Sequence, residues 1–357
     1  MTKLEKTKYM YDYIVHEIRY SSVSFRQSGL IPQSTSNVLN SKMGDCKDIS
    51  TLFVAMCREV GIEANLTLVN TRDNGDNTMY LPCIDFDHCI AAINIDNKKY
   101  YVELTNDNNA FSTMSGDLYY AQALEIRDNS KNDLIHLPNT NAIPNFVSRQ
   151  TKMTVEGEKI TVQKKTTKCG VNAAYMRSSY RDIGKEQQEK NLKESINDEF
   201  PSVHLDGFHF DDNLKSTKDT ITYEFTYSSK DAINDVGGMR VIRIPFSEGI
   251  TSLDFLSEET RKFPIVGTGL LFNSESSEVI TLSLPAGTTL LKLPEAKVFT
   301  SEFGDYSLTF KQNLNSYTIT RKFKPKGNGE IPTEKYAEFK SFFEKVIKAD
   351  AVQLALK

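Results

Sequence analysis

The segment Gly44-Asp45-Cys46-Lys47-Asp48 carries the strongest chemical signal in this sequence of 357 residues. It opens the stretch GDCKDISTLFVAMCREVGIEA, in which Ile49, Leu52, Phe53, Met56, Cys57 and Val60 recur at intervals of three and four. That spacing predicts a helix with one buried face, and Gly61 supplies its C-terminal stop. Cys46 therefore stands at a helix start. Unpaired N–H groups and aligned peptide dipoles at such a position favour the anion, the form in which a thiol attacks. Gly44 would let the chain turn sharply and leave the sulfur open. The backbone N–H of Cys46 would then be placed to stabilise an oxyanion.

A thiolate nucleophile needs a base and a group to orient that base. His88 begins a strand-like run, HCIAAINI at 88–95, while the other four histidines (16, 136, 204 and 209) lie in less suggestive settings. For the orienting acid two readings are open. Glu103 ends the returning strand YYVEL at 100–104, but a tight turn at Asn97–Lys98 would set Asp107 directly across from His88. Taken singly, a cysteine at a helix start is more often a small buried residue, and a histidine beside a strand is usually structural. The joint pattern is what points to acyl chemistry.

Around these residues the first region reads as one central helix on a small antiparallel sheet. Met10, Tyr13, Ile14 and Ile18 suggest an amphipathic helix over 7–20, residues 64–70 a strand, 71–82 a polar loop, and 88–95 with 100–104 a hairpin. The texture changes after about residue 138, giving expected domains of 1–138 and 139–357. KMTVEGEKITVQKKT reads as a hairpin and 179–199 as helical. Ile221, Tyr223, Phe225 and Tyr227 alternate, as do Ile280, Leu282 and Leu284, and then Tyr306, Leu308 and Phe310. Such alternation marks half-buried antiparallel strands. A final helix carries Tyr336, Phe339, Phe343 and Val346, and AVQLAL follows as a short strand. The fold class is α+β, with a mostly antiparallel β second domain.

Composition narrows the function classes. Hydrophobic content of 39% with 25% charged residues is that of a globular chain, and a net charge of −4 without a basic stripe argues against a nucleic-acid partner. No run of about 18 apolar residues suggests a membrane span. Five cysteines form no CxxC pair, so a zinc cluster is not expected. Asp73, Asp76 and Asn77 make an acidic loop that could suit a calcium-dependent enzyme, but EF-hand spacing is lacking. No metal or cofactor is called for, and the oligomeric state is not legible.

IRY (18–20), Pro32, SNVLNSKMGDCKDISTLFVAMCREVGIEA (36–64), FDHCIAAI (86–93) and YYVELT (100–105) together resemble the transglutaminase-like superfamily, the papain-like cysteine hydrolases included. The resemblance is to bacterial proteins that carry a further domain ahead of the core. LSLPAG (282–287), KLPEAKVFTSEFGDYSL (292–308) and IPTEKYAEFKSFFEKVIKAD (331–350) resemble the β domain that follows such cores. The resemblance implies Cys46 as nucleophile, His88 as base and Glu103 at the family's aspartate position, which favours Glu103 over Asp107. Two departures stand out: glutamate replaces that aspartate, and Asp87 replaces the usual asparagine before the histidine, where its charge could raise the histidine pKa.

The expected activity is that of a peptidase or amidase working through a thioester on a peptide or protein substrate. Protein crosslinking and a non-catalytic protein- or glycan-binding module are the alternatives. Tyr20 is a candidate second oxyanion donor, against the commoner reading of a core aromatic. Because such relatives carry an upstream domain and a signal sequence, the chain is expected to be a fragment of an exported, periplasmic or cell-envelope protein. A shorter cytoplasmic relative is the other option.

Overall fold

Two acids start the helix on which the candidate nucleophile sits. Asp45 is the N-cap of α3 (Cys46–Glu59): its side chain accepts from the Asp48 N–H, and the Asp48 carboxylate accepts from the Asp45 N–H at 3.1 Å. This reciprocal capping box satisfies two helix-end donors at once. Beyond Val60 the chain leaves the helix at Gly61, whose φ of +73° suits glycine.

The computed structural model describes residues 1–22, 29, 31–74, 85–111, 113–127, 134–138, 143–267, 273–314, 316–327 and 330–357. Contacts divide it into two compact units. The first comprises Met1–Asn145, Cys169–Tyr175 and Ser216–Asp219, and the second the remainder.

In the first unit, α1 (Lys3–Glu17) leads into a two-residue strand β1 (Arg19–Tyr20), and α2 (Thr35–Ser41) leads into β2 (Met43–Gly44). β1 and β2 pair in parallel, with Tyr20 opposite Gly44. After α3 come β3 (Glu63–Asn70), β4 (His88–Ile95), β5 (Lys98–Val102), β6 (Gln122–Ile126) and β7 (Leu134–His136). They form an antiparallel sheet in the order β5-β4-β3-β6-β7.

Helices α1 and α3 cover one face of this sheet through Tyr11, Ile14, Ile49, Leu52, Phe53 and Cys57, all fully buried. Val69, Ile90, Met114, Leu118 and Tyr119 fill the other face. β4 is thus buried on both sides, which explains its unbroken apolar run. On α1 the deepest apolar positions are Tyr11 and Ile14, with Val15 and the C-cap residue Ile18 also buried; Met10 and Tyr13, expected on that face, lie at its margin. Val60, expected with the buried face of α3, is exposed at the helix end.

The β4–β5 turn differs from the expected one. It falls at Asp96–Asn97, both with positive φ (50° and 62°), and pairs Ile95 with Lys98 and Ala91 with Val102. Continued past the strand end, this register sets Thr105, not Asp107, level with His88. Glu103 stands one pleat back on the same face.

The second unit is built on an eight-stranded sheet. β8 (Phe146–Glu156) and β9 (Lys159–Cys169) form the expected hairpin, followed by α4 (Val171–Tyr180) and α5 (Lys185–Ile196). Then come β10 (His204–Phe210), β11 (Thr220–Ser229), β12 (Ile233–Val236), β13 (Met239–Arg243), β14 (Ile265–Val266), β15 (Glu275–Ser283), β16 (Lys297–Thr300), β17 (Gly304–Gln312), β18 (Ser316–Pro325) and β19 (Glu330–Ile331). Helix α6 (Tyr336–Asp350) and β20 (Gln353–Leu356) close the chain.

The sheet order is β10-β11-β9-β8-β15-β18-β17-β16, with β8 and β15 parallel and β15 to β18, β18 to β17, β17 to β16 and β10 to β11 antiparallel. Ile221, Tyr223, Phe225 and Tyr227 point inward as their alternation predicts, as do Ile280 and Leu282, and Tyr306 and Leu308. Behind α6, Arg321 and Asp350 form a two-pronged ion pair (2.7 and 2.8 Å) with side chains 1% and 2% exposed, and Tyr306 donates to the same carboxylate. No helix among the described residues is long and apolar enough to cross a membrane.

Candidate active site

Cys46 is the first residue of α3 and is half-buried, so its sulfur sits at the mouth of the fold rather than in the core. Its N–H belongs to the first turn, where helix donors have no acceptor within the helix. Gly44, two residues earlier, lies in extended β2 and does not make the sharp turn expected of it. Its need is space: a Cβ there would stand 2.9 Å from the Asp48 Cβ and 3.2 Å from the Ile49 Cγ1. Asp48, fully buried, also accepts from the N–H (2.7 Å) and the side-chain amide (3.0 Å) of Gln33, tying the start of α3 to the segment before α2. One turn along the helix, Ser50 donates to the Cys89 carbonyl at 3.0 Å and fixes α3 on β4. The helix that carries the sulfur and the strand that begins with His88 are thereby held in register.

His88 meets its expected acid. Its Nε2 is 2.6 Å from the Glu103 carboxylate, and the Cys46 side chain lies near enough to raise its pKa. Burial pushes the His88 pKa down, but it is outweighed by the Glu103 charge, the nearby Cys46 side chain and the hydrogen bond to Glu103. The net result is a value raised to about 11. The imidazolium is therefore the form favoured at neutral pH.

Glu103 is 3% exposed, and its second oxygen accepts from both the N–H and the hydroxyl of Thr105, each at 2.7 Å. Burial pushes its pKa up, yet the His88 charge and hydrogen bond, with the two bonds from Thr105, bring it down to about 2. Asp107 is exposed and bonds Asn108; it is not the acid that meets His88. Asp87, expected to act on its neighbour His88, instead accepts from the Thr71 hydroxyl and from the Thr71 N–H at 2.7 Å, so its charge is engaged with Thr71.

Tyr20 is not a core aromatic. It is 40% exposed, level with Gly44 across the β1–β2 bridge, and close enough to feel the charges of Cys46, Glu103 and Asp45. Burial first, and then those charges, raise its pKa. The phenol therefore stays protonated and can donate a hydrogen bond.

The other described thiols are different in kind: Cys57, Cys89 and Cys169 are at most 3% exposed. Burial pushes Cys57 and Cys89 up to about 12 and Cys169 up to about 11. Of the acidic loop, Asp73 lies in a short helical turn, while Asp76 and Asn77 fall outside the described residues, as does most of the 71–82 loop. Thr105 escaped the sequence reading. A threonine two residues after a buried acid is the one signal for it, since N–H and hydroxyl at that spacing can close on the carboxylate.

The profile of the transglutaminase-like superfamily matches residues 1–107. This first segment is a transglutaminase-like core. Residues 240–356 match a domain of unknown function with a solved structure, DUF3858. A crystal structure of a proposed protease from Parabacteroides distasonis superposes with a TM-score of 0.56 at 14% identity over the whole of this chain. The chain spans about half of that structure's length (52%), so the likeness establishes the shared fold. No curated protein matches.

Proposed function

We propose that the transglutaminase-like core is a cysteine hydrolase that cleaves amide bonds in peptides or proteins, with Cys46, His88 and Glu103 as its triad. One observation carries the reading: a half-buried cysteine at a helix N-terminus lies near enough to an imidazole to raise its pKa, and the Nε2 of that imidazole is 2.6 Å from a buried carboxylate. The fold shared with the Parabacteroides proposed protease is consistent with it.

In this reading the Cys46 thiolate adds to the amide carbonyl, and the oxyanion is met by the Cys46 N–H and the Tyr20 hydroxyl. The His88 imidazolium gives its proton to the departing amine as the C–N bond breaks, leaving a thioester. His88, now neutral, takes a proton from water as that water attacks the thioester. The carboxylic acid product leaves and the thiolate–imidazolium pair is restored. Glu103 keeps the ring oriented and balances its charge throughout.

The test compares the wild-type chain with Cys46→Ala on a broad peptide library read by mass spectrometry, with dansylcadaverine added as an amine acceptor. Cleavage that vanishes in the variant supports the hydrolase. Cys46-dependent amine incorporation in its place would make the core a crosslinking enzyme. If neither product depends on Cys46, and iodoacetamide modifies it no faster than a free cysteine, the catalytic reading is lost.

A further inference from the structure

The second unit offers a surface unrelated to the cysteine site. β16 (Lys297–Thr300) is the outermost strand of the eight-stranded sheet, and among the described residues no strand pairs with its outer edge. Its pairing with β17 is regular over all four residues. The opposite edge strand, β10, is interrupted by a bulge between Leu205 and Gly207, a device that discourages further pairing. β16 has no such bulge, and Val298 on it is 66% exposed.

Beside this edge runs a groove of about 720 Å³ floored by Leu291, Phe299, Leu308, Phe310, Val352 and Ala355. Leu291 is 51% exposed at its mouth. Lys292, Lys297, Lys345 and Lys348 also line the groove, against the single acid Glu295, and all four lysines are exposed. A net positive rim around an apolar floor selects an acidic partner with apolar side chains. The alternation of β16 fits an extended one: Lys297 and Phe299 face the groove while Val298 and Thr300 face the other side. A second copy pairing edge to edge would bring one lysine rim against another.

We infer that β16 and its groove dock an extended acidic segment of a partner protein by strand addition, with the partner's alternate apolar side chains seated on Leu291, Phe299 and Phe310. The backbone edge supplies the hydrogen bonds, the groove selects apolar side chains at every second position, and the lysines select acids between them.

The experiment uses the full chain and a fluorescein-labelled eight-residue peptide alternating glutamate with valine or phenylalanine, read by anisotropy at low salt. Two control peptides replace the apolar positions by serine or the glutamates by lysine. The expected result is binding at least tenfold tighter than either control, with slowed amide exchange at residues 297–300. Combining Lys292→Glu, Lys297→Glu and Lys345→Glu should reverse the preference toward the lysine peptide while circular dichroism stays unchanged. Leu291→Asp should weaken the acidic peptide alone. The inference is overturned if the serine control binds equally well, since that would mean a charge patch. It is equally overturned if no peptide binds, or if sedimentation reveals a dimer through this edge that the peptide does not displace.

Discussion

Replacing Glu103 by glutamine keeps the side chain's length and one carbonyl oxygen but removes the charge that faces His88. The contact it alters is 2.6 Å long, between side chains 4% and 15% exposed. Taking the charge centres as about 4 Å apart and an effective dielectric constant of about 20, the attraction is about 4 kcal/mol, or about three pKa units. The His88 pKa of about 11 should therefore fall to about 8 in the variant. The sign follows from the charge removed: without the carboxylate the cation is lost at lower pH.

The chain has five histidines, so their Cε1–H resonances can be followed by NMR from pH 5 to 11, with His88→Asn assigning the one that matters. A His88 that titrates near 6.5 in the wild-type chain, or that stays above pH 10 in the glutamine variant, would refute the argument. A second consequence concerns the ring's proton. The glutamine amide would donate toward Nε2, so a neutral ring would carry its proton on Nδ1 and could not accept one from the sulfur. The same carboxylate-to-amide change in a serine-protease triad costs about 10⁴-fold in turnover.

Other perturbations follow from the same geometry. Gly44→Ala places a Cβ 2.9 Å from the Asp48 Cβ; an overpacking cost of about 1–3 kcal/mol is expected, read by urea denaturation, with slower alkylation of Cys46. Glu103 has a folded pKa of about 2, below its ordinary 4.5. Its contribution to stability is therefore complete above pH 4.5 and is lost as pH falls through about 2, in total about 3 kcal/mol. Urea midpoints of the wild-type chain should fall more steeply than those of Glu103→Gln between pH 5 and 2, and parallel curves would contradict the assignment. Asp350→Ala strips Arg321 of its two-pronged partner in a site 1–2% exposed; a loss of about 3–5 kcal/mol is expected in the same denaturation assay.

Much of the first unit was legible because its signals are local. The 3–4 spacing after Cys46 fixes α3, and the period-two runs fix the strands of the second unit. What failed was what depends on register or on neighbours distant in sequence. The β4–β5 turn could sit on Asp96–Asn97 or Asn97–Lys98. Asp and Asn tolerate the left-handed backbone that the tight hairpin requires, which lysine does less readily, and that preference selects the first. A shift of one position in the turn was enough to put Asp107 in contention with Glu103. Likewise no sequence pattern announces that Asp87 is held by Thr71, sixteen residues earlier, or that Tyr20 is drawn beside Gly44 by a two-residue parallel bridge.

The same register explains how the Glu103 side chain reaches His88. β5 ends at Val102, and Glu103 lies diagonal to His88 rather than opposite it. The extra methylene extends the carboxylate along that diagonal, so one oxygen reaches Nε2 while the other remains on the N–H and hydroxyl of Thr105. Both oxygens are then engaged, and a buried carboxylate held on both sides cannot rotate away from the ring without leaving donors unpaired. The imidazole is fixed in turn, and Cys46, near enough to raise its pKa, is the only described cysteine that is not buried. The longer side chain is thus accommodated by the strand's end and by one threonine.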